Sequence, residues 1–133
     1  MTSFHKVQRQ EEFYKDLKKL LKRFPTLETD LESFVNAQLV AYHKFQADNN
    51  GIERLQRLGF EDPPIFKATK FACRALKGKG VRSGIRITYA YSQKTDTVHL
   101  IQIYYKEKDD TKEDRERIQS LSDQGAFQSL KYL

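Results

Sequence analysis

The chain has 133 residues and a formal net charge of +6, with 38% hydrophobic, 12% aromatic and 32% charged residues. That is the length of one ordinary domain, 1–133, able to bury a core unaided, and nine Phe with seven Tyr exclude a disordered chain despite the charge. A single cysteine, Cys73, excludes an internal disulfide framework, Met1 to Gln10 has no apolar signal-type run, and no stretch approaches the roughly 20 apolar residues of a membrane span, so a soluble cytoplasmic protein is expected.

Phe4 to Gln8 has the composition of a short strand. From Glu11 to Phe24, Phe13, Leu17, Leu20, Leu21 and Phe24 recur at helical spacing until Pro25 stops the run. A second helix is expected to begin near Thr29, with Thr29 and Glu32 as a capping-box pair. Its stripe is Leu31, Phe34, Val35, Leu39, Tyr42 and Phe45, and Asn49-Asn50-Gly51 ends it. The two helices form a hairpin that needs an apolar surface to cover. Asn49 to Pro64 reads as a connection, and Ile65 to Cys73 as a strand without clean alternation. Ile85, Ile87, Tyr89 and Tyr91 then alternate with Arg86, Thr88, Ala90 and Ser92, the period of a strand with one buried face, which leaves Arg86 on the open face. After a polar turn at Ser92 to Asp96, the run from Val98 to Tyr105 is apolar on both faces and reads as a central strand, pairing antiparallel with its predecessor. Thr111 to Leu121 is charged and expected to be helical, anchored by Ile118 and Leu121. The fold class is therefore α+β: a small antiparallel sheet packed by an N-terminal helical hairpin, with a C-terminal helix.

Charge is concentrated in one segment. Between Asp62 and Asp96 there is no acidic side chain, while Lys67, Lys70, Arg74, Lys77, Lys79, Arg82, Arg86 and Lys94 all fall there. Such a concentration is the electrostatic footprint of a surface that meets phosphates, although a solvated basic face would look the same. The loop from Lys77 to Gly84 carries glycines at 78, 80 and 84, which permit close backbone approach to a phosphate but fit neither the P-loop nor the dinucleotide fingerprint. His5, His43 and His99 have no metal-ligand spacing and read as core-edge or surface histidines, and Cys73 reads as a small buried residue, so no cofactor or metal is expected. Chemistry on this chain must then run on Lys, Arg and Tyr. RNA offers such chemistry, because the ribose 2′-hydroxyl can attack the adjacent phosphate in line, leaving a cyclic phosphate and a free 5′-hydroxyl. Crowded cations would stabilise the phosphorane charge and push a lysine's pKa down towards a general-base range, with arginine as a permanent clamp.

The run Lys77-Gly78-Lys79-Gly80-Val81-Arg82-Ser83-Gly84-Ile85-Arg86-Ile87-Thr88-Tyr89-Ala90-Tyr91, followed by His99-Leu100-Ile101-Gln102-Ile103-Tyr104-Tyr105-Lys106, resembles the RelE/ParE superfamily of bacterial toxins, particularly its HigB-like members. The resemblance is a basic glycine loop, then Gly-x-Arg-hydrophobic-x-Tyr on one strand, then an apolar strand ending in Tyr-Tyr-Lys. It implies a toxin of a type II toxin-antitoxin system, held inactive by a cognate antitoxin, that cuts messenger RNA on the ribosome. By motif position Arg86 matches the arginine on the scissile phosphate. Lys70 and Arg74 match the basic residues of the preceding strand, because Lys67 and Lys70 are three apart and cannot share a strand face, whereas Lys70 and Arg74 can. Tyr105 and Lys106 complete the implied catalytic set, and Lys67, Lys77, Lys79, Arg82 and Tyr104 the RNA-binding one. The same superfamily leaves two alternatives: a ParE-like topoisomerase inhibitor without nuclease activity, or an inactive relative that binds RNA or antitoxin.

Overall fold

The structure, a computed structural model, describes residues 2–106 and 112–128. In chain order the elements are β1 (Lys6–Arg9), α1 (Glu11–Leu21), α2 (Leu27–Phe34), a π-helical turn (Val35–Leu39), α3 (Val40–Phe45), β2 (Ile52–Arg54), β3 (Ile65–Ala68), β4 (Ile85–Ser92), β5 (Thr97–Tyr105) and α4 (Arg115–Asp123). The five strands form one sheet in the order β1-β5-β4-β3-β2. The class is α+β as expected, but the sheet is mixed, not purely antiparallel: β1 runs parallel to β5, and only the other three pairings are antiparallel. A strand therefore precedes the first helix, and α1 is the connection that leads away from that edge, so the N-terminus is not simply a helical hairpin laid on the sheet.

Local chemistry accounts for the helices. α1 has Glu11 and Glu12 in its first turn and Lys18 and Lys19 in its last, complementing the helix dipole, and buries Phe13 and Leu17. α2 starts two residues before the expected Thr29, with Thr26 at the N-cap. Thr26 does not cap by its side chain; its hydroxyl donates to Asp30 at 2.7 Å and accepts the amide of Ala75 at 3.0 Å, so it is spent on tertiary contacts. The π-helical turn adds a residue to one turn and rotates the following stripe. In consequence Phe45, expected on the apolar face, is 62% exposed, and the helix closes at Gln46 in a left-handed conformation, short of Asn49.

The apparent connection after Asn49 holds β2, three residues long and too short to show a period, paired to β3. β3 in turn stops at Ala68, five residues earlier than the expected strand. The β4–β5 hairpin pairs antiparallel as expected, but the β4 face read as open is buried at Thr88 and Ala90, because a second layer packs on it. A bulge shifts the register at Thr88/Tyr89, where Thr88 faces Gln102 but Tyr89 faces Leu100. Ile101 is the extra residue, and Ile101 and Gln102 both serve the second face of the sheet.

Two apolar layers result. On the first face Ile85, Ile87, Tyr89, Leu100 and Ile103 pack under Phe13, Leu17, Leu27 and Leu31. On the second face Ile65, Ala90 and Ile101 meet Leu55, Ile118 and Phe127, so Ile118 does anchor α4, with Leu121 packed beside it. α4 begins at Arg115; the expected start at Thr111 lies outside the described residues. Because β1 covers only Thr97 to Leu100 of β5, the edge beyond is satisfied by side chains: Asp16 accepts the Ile103 amide at 3.3 Å, and Arg117 donates to the Ile101 carbonyl at 2.9 Å and to Asp16 at 2.7 Å.

Both interior histidines are core-edge groups with a thermodynamic signature. His43 sits among Tyr42, Phe66 and Tyr91, with Nε2 2.8 Å from the Tyr89 hydroxyl. His99 is 4% exposed and lies against Phe127. Burial first, then the charge of Lys44 or Lys6 respectively, depresses each ring from 6.5 to about 4. The unfolded chain takes up these protons below about pH 6.5 and the folded chain only near 4, so stability should be highest above 6.5 and fall as pH drops towards 4. A loss of roughly 2 kcal/mol per ring is expected, discounted for partial exposure. Urea midpoints at pH 7.5 and 4.5 check it, and a His43→Gln/His99→Gln variant with the wild-type pH slope would show the histidines are not responsible.

Candidate functional site

α4 covers the part of the second sheet face that carries Ile65, Ala90 and Ile101. Beside it, among the described residues, is a cleft of about 320 Å³ lined by Lys67, Thr69, Arg86, Tyr104, Lys106, Lys112 and Glu113. Strand parity builds it. Lys67 follows Ile65 by two on β3, Arg86 precedes Thr88 and Ala90 on β4, and Tyr104 is the register partner of Arg86 on β5. Each of these strands thus gives an apolar residue to the part of the face under α4 and a cation or phenol to the open part. Arg86 is fixed by a 2.7 Å bond from Nη1 to the Thr69 carbonyl, which leaves its remaining N–H donors for a ligand. Gln102, next to the bulge, accepts the Asp114 amide at 2.7 Å and so holds the segment that closes one side.

The expected residues divide. Arg86, Tyr104, Lys106 and Lys67 are brought together. Lys70 is not: its Nζ bonds the Asn49 carbonyl and its stem lies over Gly51, where a Cβ would come within 2.7 Å of it. Arg74 stands beside Asp30, with Nε 3.6 Å from the carboxylate and the side chain 69% exposed. The preference for Lys70 with Arg74 over Lys67 is therefore corrected, because it counted parity along a strand that ends at Ala68. Tyr105 points to the first face, its ring 5.0 Å from Phe24 with Arg23 over it at 4.9 Å, and is not part of the cleft. Lys77, Lys79 and Arg82 lie in an exposed turn, outside the cleft lining.

The electrostatics also differ from expectation in one respect. Burial would lower the Lys67 pKa, but the hydrogen bond and charge of Glu113, helped by Tyr104 and Glu53, raise it above its ordinary value. Lys67 is thus a committed cation, not a general base, since a carboxylate stands 3.0 Å away where only cations were anticipated. For Glu113 burial pulls upward, yet Lys67 and Arg115 outweigh it and hold the carboxyl below its usual range. Burial raises the Tyr104 phenol, with Lys67 and Arg86 opposing and Glu113 adding to the rise. Glu113 is the residue that sequence reasoning missed. Its neighbour Asp114 carries a helix-start signal, accepting the Arg117 amide at 3.0 Å, but nothing in the sequence says where that helix docks.

Among the described residues no group of three or more His, Cys, Asp or Glu side chains is placed to hold a metal ion, and no helix is long and apolar enough to cross a membrane. Cys73 is 3% exposed, and burial, the largest influence, raises its thiol.

No family model matches the sequence, and no curated protein matches it. Among solved structures the chain is similar to the archaeal RelE–RelB complex from Pyrococcus horikoshii OT3, at 15% identity over 81% of this chain and 99% of that chain, with a TM-score of 0.48.

Proposed function

We propose that this protein is an RNA-cutting toxin of the RelE type, the toxic half of a toxin-antitoxin pair, acting on ribosome-bound messenger RNA in the cytoplasm. The observation that supports the reading best is the meeting of Arg86, Tyr104 and Lys106, at motif positions of the resemblance, with Lys67 in one cleft. In this reading the ribose 2′-oxygen attacks the phosphorus while the bond to the 5′-oxygen breaks, and the 2′-hydroxyl proton leaves to solvent or a nearby base. Arg86 holds the non-bridging oxygens as their charge grows, its planar fork suiting two of them at once. Lys67 adds fixed positive charge, and Lys106 or the Tyr104 phenol supplies the proton for the departing 5′-oxygen. The antitoxin is expected to carry acidic residues to this basic surface, so its binding should weaken with salt.

Cleavage of ribosome-bound message should persist in excess EDTA, once the ribosome's own magnesium requirement is controlled with a cleavage-defective variant, and should leave 2′,3′-cyclic phosphate and 5′-hydroxyl ends. Linear 3′-phosphates formed directly, or strict dependence on added metal, would refute the mechanism. Topoisomerase poisoning with no RNA cleavage would move the function to the ParE-like alternative.

A further inference from the structure

Glu113 places an anion among the cations of the cleft. Its Oε1 accepts from Lys67 Nζ at 3.0 Å and its Oε2 from Arg115 Nε at 3.1 Å. The side chain is 9% exposed, so this is not a loose surface pair. Glu53 also approaches Lys67, at 3.4 Å, but is 62% exposed at the rim. Two oxygens of one anion, each held by a different cation, is the pattern that the non-bridging oxygens of a phosphodiester would present to the same donors. Arg115 is further fixed by a 2.7 Å bond from Nη1 to the Gln56 carbonyl, so it is aimed at Glu113 whether or not the carboxylate is there.

We propose that Lys67, in the cleft lining, and Arg115, which reaches Glu113 from just outside it, form a second phosphate subsite at the margin of this cleft, for a phosphodiester neighbouring the one on Arg86, and that Glu113 is its built-in stand-in, displaced when RNA binds. The identity of the ligand rests on the RNA-cutting reading; the subsite itself rests on the three side chains. Without the carboxylate, Lys67 and Arg115 would be close cations lacking a shared counter-ion, which costs folded-state energy. With it, RNA must exchange one anion for another, so resting affinity is held down.

Fluorescence anisotropy of a mixed-sequence 2′-O-methyl oligonucleotide, which lacks the attacking hydroxyl, reads binding alone. Glu113→Gln and Glu113→Ala should each tighten binding about tenfold, two variants guarding against a folding defect in either. Glu61→Gln, at an acid that is 90% exposed and outside the cleft, should change it less than about twofold. Lys67→Ala and Arg115→Ala should each cost less than about threefold in the wild-type background, where Glu113 occupies both, but about tenfold in the Glu113→Gln background. Unchanged or weaker binding in both Glu113 variants would overturn the proposal, as would equal costs of Arg115→Ala in the two backgrounds. Inorganic phosphate provides a probe independent of RNA: in Glu113→Gln it should shift the Arg115 Nε resonance saturably, and no shift would also overturn the subsite. If phosphate moves Arg115 while RNA is neither bound nor cut, the subsite stands and the nuclease reading falls. If RNA is cut while the Glu113 variants bind as wild type, the reverse holds.

Discussion

Arg86→Ala should slow the proposed RNA cleavage by roughly a hundredfold or more, the loss of about 3 kcal/mol expected when a fixed donor to transition-state charge is removed. The effect should fall on the chemical step. Arg86 is half-buried and its anchor, the Thr69 carbonyl, can be hydrated from the open cleft once the guanidinium is gone, so the fold should lose little. Arg86→Lys should recover only part of the rate, because an ammonium cannot span two phosphate oxygens as a planar fork does. Single-turnover cleavage on programmed ribosomes, with thermal denaturation as the folding control, measures both. A folded Arg86→Ala protein that cut RNA and arrested growth as the parent does would remove Arg86 from the site.

Asp30→Ala should be the most damaging of the simple polar deletions, at about 2–4 kcal/mol and a fall in Tm of roughly 10 °C. The carboxylate is 4% exposed and accepts from the Thr26 hydroxyl at 2.7 Å and the Arg74 amide at 3.0 Å. Removing it strands both donors and loosens Thr26, whose hydroxyl holds the next amide, that of Ala75. Asp30→Asn should cost less, since one oxygen can still accept, and Thr26→Val should disturb the same segment. Denaturant titrations of the three variants provide the comparison; an Asp30→Ala midpoint within about 0.5 kcal/mol of wild type would mean the pin is dispensable. Because the segment it holds leads into the basic glycine loop, loosening there should also weaken any partner that grips Lys77, Lys79 or Arg82.

Strand parity carried the sequence reading where the alternation was long. Ile85 to Ser92 has eight residues of alternating sequence, enough to put Arg86 on the face away from Ile85, Ile87 and Tyr89, whereas Tyr104 was named by the resemblance and its place beside Arg86 comes from the strand register. The same reasoning failed for Lys70 and Arg74 because parity means nothing beyond the last paired residue, and β3 ends at Ala68 without a Gly or Pro to mark it. Phe45 went astray for a related reason: a π-helical turn leaves no compositional trace, yet it shifts every later residue on the helix. Glu113 was out of reach on other grounds, since it joins Lys67 across 46 residues and long-range docking of a charged segment has no periodic signal.

The parallel edge strand sets an order of events during folding. β1 is made first, yet its partner is β5, and the N-terminal segment is tied at His5 to Asp96 across 91 residues. The β4–β5 hairpin can zip locally, whereas β1 and α1 have no sheet to close on until that hairpin exists. The cleft obeys the same timetable, drawing on Lys67, Arg86, Tyr104 and Glu113 in turn. A growing chain therefore has no assembled site until it has been made through Glu113. If the chain acts on translating ribosomes as proposed, that timing would spare the ribosome still making it.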